Sequence, residues 1–243
     1  MAAPPIAGTG VAVAAYALLV VVPFVFLRLV LGRRPFHGLP RGTVPRFLLL
    51  GCGSALLAVA VNGAITRAGL ADQFPETLAG GLSFGEALFV SFVLAGLVEE
   101  GAKFLALAAG AYDLPHHAAI VVAGLLVGVG FGLVENAANV YAASAAGVPL
   151  TGLSVALIRS FVLLHPIATG LAADGLARRR FGPRRWAAAA WRGFALAVLV
   201  HGFWDLVVFW RLERVWILPT LAFPWLVWWG SRVLSDRALR LSG

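Results

Sequence analysis

The chain has 243 residues, of which 60% are hydrophobic and only 12% charged, with a mean hydropathy of +0.90 and a formal net charge of +8. Soluble domains hold about 45–50% apolar and roughly 25% charged residues, so the composition excludes an ordinary water-soluble fold. The positive charge is arginine, with Lys103 the single lysine, and it sits between apolar runs, where it marks topology and meets anionic lipid rather than nucleic acid.

A helix needs about 20 apolar residues to span the hydrocarbon core. Seven stretches qualify in chain order: 10–32, 46–66, 84–111, 117–142, 151–177, 187–210 and 215–233. The first has no basic residue before Arg28 and is longer than the roughly 7–15 residues of a signal h-region, so it is expected to stay as a span. The alternation of a lipid-facing barrel strand is absent. The expectation is an all-α, polytopic transmembrane helical bundle of about seven spans, with residues 1–243 forming one membrane domain. The lone Cys52 allows no intrachain disulfide.

Arginines 33, 34, 41 and 46, then 178, 179, 180, 184 and 185, then 232, 237 and 240 fall on one side of a seven-span chain. The loops on the other side hold only Arg67, Arg211 and Arg214. The positive-inside rule therefore predicts the N-terminus outside and the C-terminus inside. Tryptophans 186, 191, 204, 210, 216, 225, 228 and 229 gather in the last two spans, several near their ends, as interfacial anchors do.

An ionisable side chain at the centre of a span costs about 2.5–3.5 kcal/mol on insertion scales and is retained for function. Span three carries Glu99, Glu100 and Lys103; span four Glu135, Asn136 and Asn139; span five Arg159 and His165; span six His201 and Asp205. Glu99 and Glu100 stand four and three residues before Lys103, so the three share one broad helix face. His201 and Asp205 are likewise four apart. Antiparallel neighbours bring His165 and His201 to about the depth of the glutamate pair, so one site is geometrically feasible.

Such a set supports hydrolysis. A desolvated carboxylate can act as general base on water. Two imidazoles can stabilise an oxyanion, or bind zinc with a carboxylate as third ligand; candidate metal ligands are His165, His201, Glu100 and Asp205. A metal-free scheme uses the same groups. Intramembrane Glu and His chains also build proton relays, so a proton- or cation-coupled transporter is the rival reading, and a non-catalytic membrane scaffold a third. Against the transporter, neither related halves nor broken helices are visible.

Glu99-Glu100-x-x-Lys103, Gly130-Phe131-Gly132-x-x-Glu135-Asn136, His165 and His201-Gly202-x-Trp204-Asp205 together resemble the PrsW family of bacterial intramembrane metalloproteases. The likeness covers roughly residues 84–210. Phe161-x-x-x-His165 and His201-x-x-x-Asp205 are also similar to the related CAAX-prenyl-protease and bacteriocin-processing superfamily, which usually has Arg one position after Lys103. The resemblance implies a multi-pass enzyme of the bacterial cell membrane that cleaves membrane-associated proteins such as anti-sigma factors. It gives Glu99 and Glu100 water activation or metal binding, and His165 and His201 metal or oxyanion contacts.

Plainer readings stand beside these. Glu99 and Glu100 could form a structural ion pair with Lys103, and His165 could satisfy a carbonyl freed by Pro166. Glu135 could bridge to Arg159, and Asn136 and Asn139 could bond across helices. His116 and His117 read as a solvated cytoplasmic turn, with Glu86 and Asp174 facing the interface. Gly124 and Gly128 have the spacing of a small-residue helix contact.

Overall fold

The computed structural model describes residue 25 and residues 39–68, 83–145, 164–183 and 188–209. The stretch 10–32 apart from residue 25, the stretch 215–233, much of 151–177, and Arg159 lie outside the described residues. The described chain is helical, without strands among the described residues: α1 (Thr43–Arg67), α2 (Phe84–Phe89), a π-helical segment (Val90–Glu99), α3 (Glu100–Gly110), α4 (His117–Ala145), α5 (Leu164–Phe181) and α6 (Ala189–Phe209). α2, the π segment and α3 follow one another without a break, so the run 84–111 is wound as one rod in two geometries. Ser83 starts it with a reciprocal cap: its Oγ accepts from the Glu86 N–H at 3.3 Å, and Glu86 Oε2 accepts from the Ser83 N–H at 2.7 Å.

The helices close into a ring. α4 packs on α1 and α5, α5 on α6, α6 on the π segment, and α3 back on α1. Both α1 and α4 are long and apolar enough to cross a membrane, and 89% of the most apolar window of α4 is buried, which makes it the central helix. Beyond the fully buried Phe47, the polarity of α1 is by size: Gly51, Ser54, Ala55 and Ala58 face inward while Leu49, Leu56 and Val59 point out. In lipid, burying large apolar groups gains little, so small residues that admit a neighbouring backbone decide which face packs.

Three glycine contacts hold the ring tight. A Cβ on Gly51 would strike the Val127 carbonyl, and one on Gly130 the Leu48 carbonyl, so α1 and α4 touch backbone to backbone. A Cβ on Gly124 would meet Ala173 and one on Gly128 would meet His165 and Pro166, which is the small-residue contact predicted from their spacing. Gly175 and Gly193 face each other between α5 and α6 in the same manner.

One end of the bundle is tied by charge. Arg46 on α1 forks onto Asp113, with N–O distances of 2.8 and 2.7 Å. Arg180 at the end of α5 donates to the carbonyls of Ala111 and Tyr112. His117 corrects the sequence reading. It is only 3% exposed, opens α4, and lies 2.8 Å from Asp174, which also accepts from Arg178 at 2.6 Å. The ring is not in a solvated turn and Asp174 is not simply facing the interface, because the antiparallel packing of α4 on α5 seals both between the helices. His116 accepts from the Ala119 N–H through Nδ1 and caps the same helix end.

Candidate active site

The π segment ends at Glu99 and α winding begins at Glu100. Consecutive residues of an α-helix point about 100° apart, so both carboxylates would not ordinarily reach one partner. Here both reach His201. Glu100 Oε1 lies 2.7 Å from His201 Nδ1, and Glu99 Oε2 lies 3.7 Å from His201 Nε2. π turns inside α-helices are frequent at functional sites, and the change of winding falls at the glutamate pair.

Each neighbouring helix adds a group. From α3, Lys103 donates to Glu100 Oε1 at 2.5 Å and sits 3.2 Å from His165 Nδ1. The ammonium also lies 4.0 Å above the Phe131 ring of α4, a cation–π contact in a dry setting. From α4, Glu135 Oε2 comes within 2.5 Å of His165 Nε2, although off the line of a ring hydrogen bond. From α6, Asp205 Oδ2 lies 3.4 Å from His201 Nε2. The two imidazoles face each other edge-on with centroids 5.1 Å apart, and Phe131 backs His165 at the same separation. Gly132 makes room for that ring, since a Cβ there would stand 3.0 Å from His165 Cδ2.

Burial divides the groups in two. The Glu100 and Lys103 side chains are fully buried, and those of His165 and His201 nearly so, whereas Glu99 is 15% and Glu135 24% exposed. Glu100 and Lys103 are the most deeply sealed of the set, and Glu99 and Glu135 the least. Glu100 is ten residues from the end of α3, His201 twelve from the start of α6 and His165 sixteen from the end of α5. At 1.5 Å per residue these are roughly 15, 18 and 24 Å from the charged end, depths inside an apolar slab about 30 Å thick.

Of the residues singled out from sequence, Glu99, Glu100, Lys103, Glu135, His165, His201 and Asp205 come together. Asn136 is buried on the same helix as Glu135. Glu135 approaches His165, a contact that reading it as the partner of Arg159 had left unnamed. His165 meets the side chains of Lys103 and Glu135 rather than merely a carbonyl freed by Pro166. Asn62 was not anticipated; it reaches the Leu94 carbonyl in the π segment at 3.4 Å, and its isolation in the run 46–66 was the available signal.

Glu99, His165 and His201 each offer a ligand atom, all within 4.8 Å of one another. Donors around one tetrahedral zinc at 2.0–2.2 Å lie about 3.3 Å apart, so modest inward movement would close the set. His201 is prepared for this. Its Nδ1 is engaged by the Glu100 carboxylate, and its Nε2 faces Glu99 and Asp205. The donor set therefore fits a metal.

Carboxylates and imidazoles gathered inside a bundle of apolar helices form a set that can support hydrolysis. A family model described as PrsW family intramembrane metalloprotease matches residues 39–229, and the chain belongs to that family. No curated protein and no solved structure matches the chain. Membership makes it an enzyme, an intramembrane protease, in place of the transporter and scaffold readings.

Proposed function

We propose that the chain is a single membrane domain of about seven spans, N-terminus outside and C-terminus inside, that hydrolyses a peptide bond of a membrane-associated protein in the pocket of Glu99, His165 and His201. The convergence of those three residues within 4.8 Å, at mid-bundle depth, carries the reading. The family's bacterial anti-sigma-factor substrates give the class of protein to test, and the bacterial cell membrane is the compartment that fits the positive-inside pattern.

Glu99 is the water-activating carboxylate. It is the more exposed of the two glutamates and lies beside His201 Nε2, while Glu100 is occupied by Lys103 and His201 Nδ1. Glu100 thus orients His201 instead of meeting substrate. Water oxygen bonds to the carbonyl carbon as Glu99 takes one proton; that proton passes to the leaving nitrogen as the C–N bond breaks. The second water proton stays with the new carboxyl group. A metal would be held by His201 Nε2, with Glu99, His165 and Asp205 the further donors in reach, and zinc suits this nitrogen–oxygen set. When bound it would lower the pKa of water and polarise the carbonyl. Glu135 and Asp205 hold the rings in place from the opposite sides.

The test uses purified full-length protein in proteoliposomes with a single-span substrate. Glu99→Gln and His201→Ala should each abolish cleavage while leaving insertion intact. Unimpaired cleavage by either variant removes that residue from the chemistry. Metal content of wild type and His201→Ala should differ; equal content in both overturns His201 as a ligand.

A further inference from the structure

Glu100 is held in place through its own side chain, and Glu99 is not. Glu100 Oε1 makes short contacts with Lys103 at 2.5 Å and with His201 Nδ1 at 2.7 Å. Glu99 Oε2 stands 3.7 Å from His201 Nε2 and has no hydrogen bond among the described residues. The backbone therefore sets where the Glu99 carboxylate lies, and that backbone is the end of the π segment.

The π segment is seated between α6 and α1 by contacts of two kinds. Toward α6 the fit is one of shape: a Cβ on Gly202 would strike the Phe92 ring, and one on Gly96 would lie 3.1 Å from the Val198 carbonyl. Close packing of this kind opposes separation but has no preferred direction, so it resists turning weakly. Toward α1 there is a directional bond. α1 runs antiparallel to the rod, with Arg46 on Asp113 near the charged end and Asn62 Nδ2 on the Leu94 carbonyl further in, at 3.4 Å. Between the two ties, Ala55 and Ala58 pack in one cluster with Ala102 and Val98. Ala55, Ala58 and Asn62 are spaced by three and four, so one stripe of α1 follows the rod and ends in an amide.

The carbonyl that Asn62 grips is the one that matters for Glu99. In π winding a carbonyl accepts from the N–H five residues on, and five residues after Leu94 is Glu99. Glu100 has already returned to an α step, its N–H bonding the Gly96 carbonyl. A carbonyl can only accept, so the NH2 of Asn62 faces Leu94, and Oδ1 is then left buried without a partner among the described residues. A buried acceptor left unmet costs stability, so the amide is retained for its single bond.

We propose that Asn62 is a positioning residue for the reaction: by pinning the Leu94 carbonyl it fixes the turn of the π segment and holds the Glu99 carboxylate beside His201. The inference rests on the reading of Glu99 as the water-activating group, and it adds a residue from α1 that touches neither substrate nor metal. Without the pin, Glu99 turns with its segment while Glu100, tied to Lys103, keeps its place.

The test compares full-length wild type with Asn62→Leu, Asn62→Ala and Asn62→Gln in proteoliposomes, using a single-span substrate. Leu matches the shape of Asn without its donor, and Ala removes the donor without crowding the seam. Both should lower kcat per folded molecule about 10–100-fold, the usual cost of losing an orienting partner, and leave KM unchanged. Gln keeps the amide on a longer stem and should recover most of the loss. Hydrogen–deuterium exchange of the same preparations without substrate should show the amides of residues 95–100 exchanging faster in Leu and Ala, with α4 and α5 as protected as in wild type. An unchanged kcat in Leu and Ala overturns the pin, as does a Gln variant no faster than they are. A change in KM alone would make Asn62 a substrate contact, and a loss of kcat with unaltered exchange at 95–100 would place its action elsewhere; either result overturns the proposal. Absence of cleavage by wild type would instead strike the hydrolytic reading, and the exchange measurement would still decide whether Asn62 holds the segment.

Discussion

Gly128→Ala tests whether helix packing sets the geometry of the pocket. A Cβ at this position would lie 2.5 Å from the His165 carbonyl oxygen and from Pro166 N and Cα, all backbone atoms. Ordinary contact begins at 3.4 Å, so α4 and α5 must separate by roughly 0.9 Å (3.4 − 2.5) where His165 leaves the backbone. Overpacking of this kind costs about 1–3 kcal/mol, and misplacing a catalytic group by about 1 Å can cost 10²-fold in rate. The variant should therefore insert and purify, melt earlier in detergent, and cleave roughly a hundredfold more slowly. Gly53→Ala is the matched control: nothing lies within 4 Å of a Cβ there, so it should leave cleavage unchanged and stability equal or slightly raised. Wild-type cleavage by Gly128→Ala would refute the claim that this contact positions His165.

Other consequences are separately measurable. Lys103→Met alone strands the Glu100 carboxylate in a dry interior and should destabilise by about 3–5 kcal/mol in denaturant titration, with the Glu100→Gln double variant recovering most of the loss. Chelation should stop proteolysis and added zinc restore it; activity unaffected by an exhaustive chelator would point to the metal-free scheme. At the charged end, Arg46 holds the Asp113 carboxyl below the usual carboxylate range. A depressed folded pKa contributes stability above the unfolded value, near pH 4, that is lost as pH falls through the folded value, so Asp113→Asn should flatten the acid limb of a stability–pH curve. His117→Ala leaves a half-satisfied Asp174 between α4 and α5 and should lower the melting temperature without altering the cleavage position.

The helical character and the pocket were legible because both follow from cost. Apolar runs long enough to span are hard to explain otherwise, and Glu99, His165 and His201 inside them are too expensive to be idle. Relations between helices were harder. His117 was misread because its neighbours Leu114-Pro115-His116 look like a turn, whereas its partner Asp174 lies 57 positions away on an antiparallel helix. The role of Glu135 was left open for a similar reason, since one chain cannot choose between two distant partners. The π winding of residues 90–99 left no local mark: Val, Ser, Phe, Leu, Ala and Gly there suit an α-helix equally well.

That wider winding has a mechanical consequence. Each π turn takes in one residue more per hydrogen bond than an α turn, and the segment stands between a capped start at Ser83 and a downstream half anchored by Lys103. Slipping to the tighter spiral would screw the upstream rod about its axis while the anchored half stayed still. Glu99, the last residue before the anchor, would swing away from His201 as Glu100 kept its place. The rod is thus built like a bolt with two thread pitches, and Glu99 sits where the threads meet.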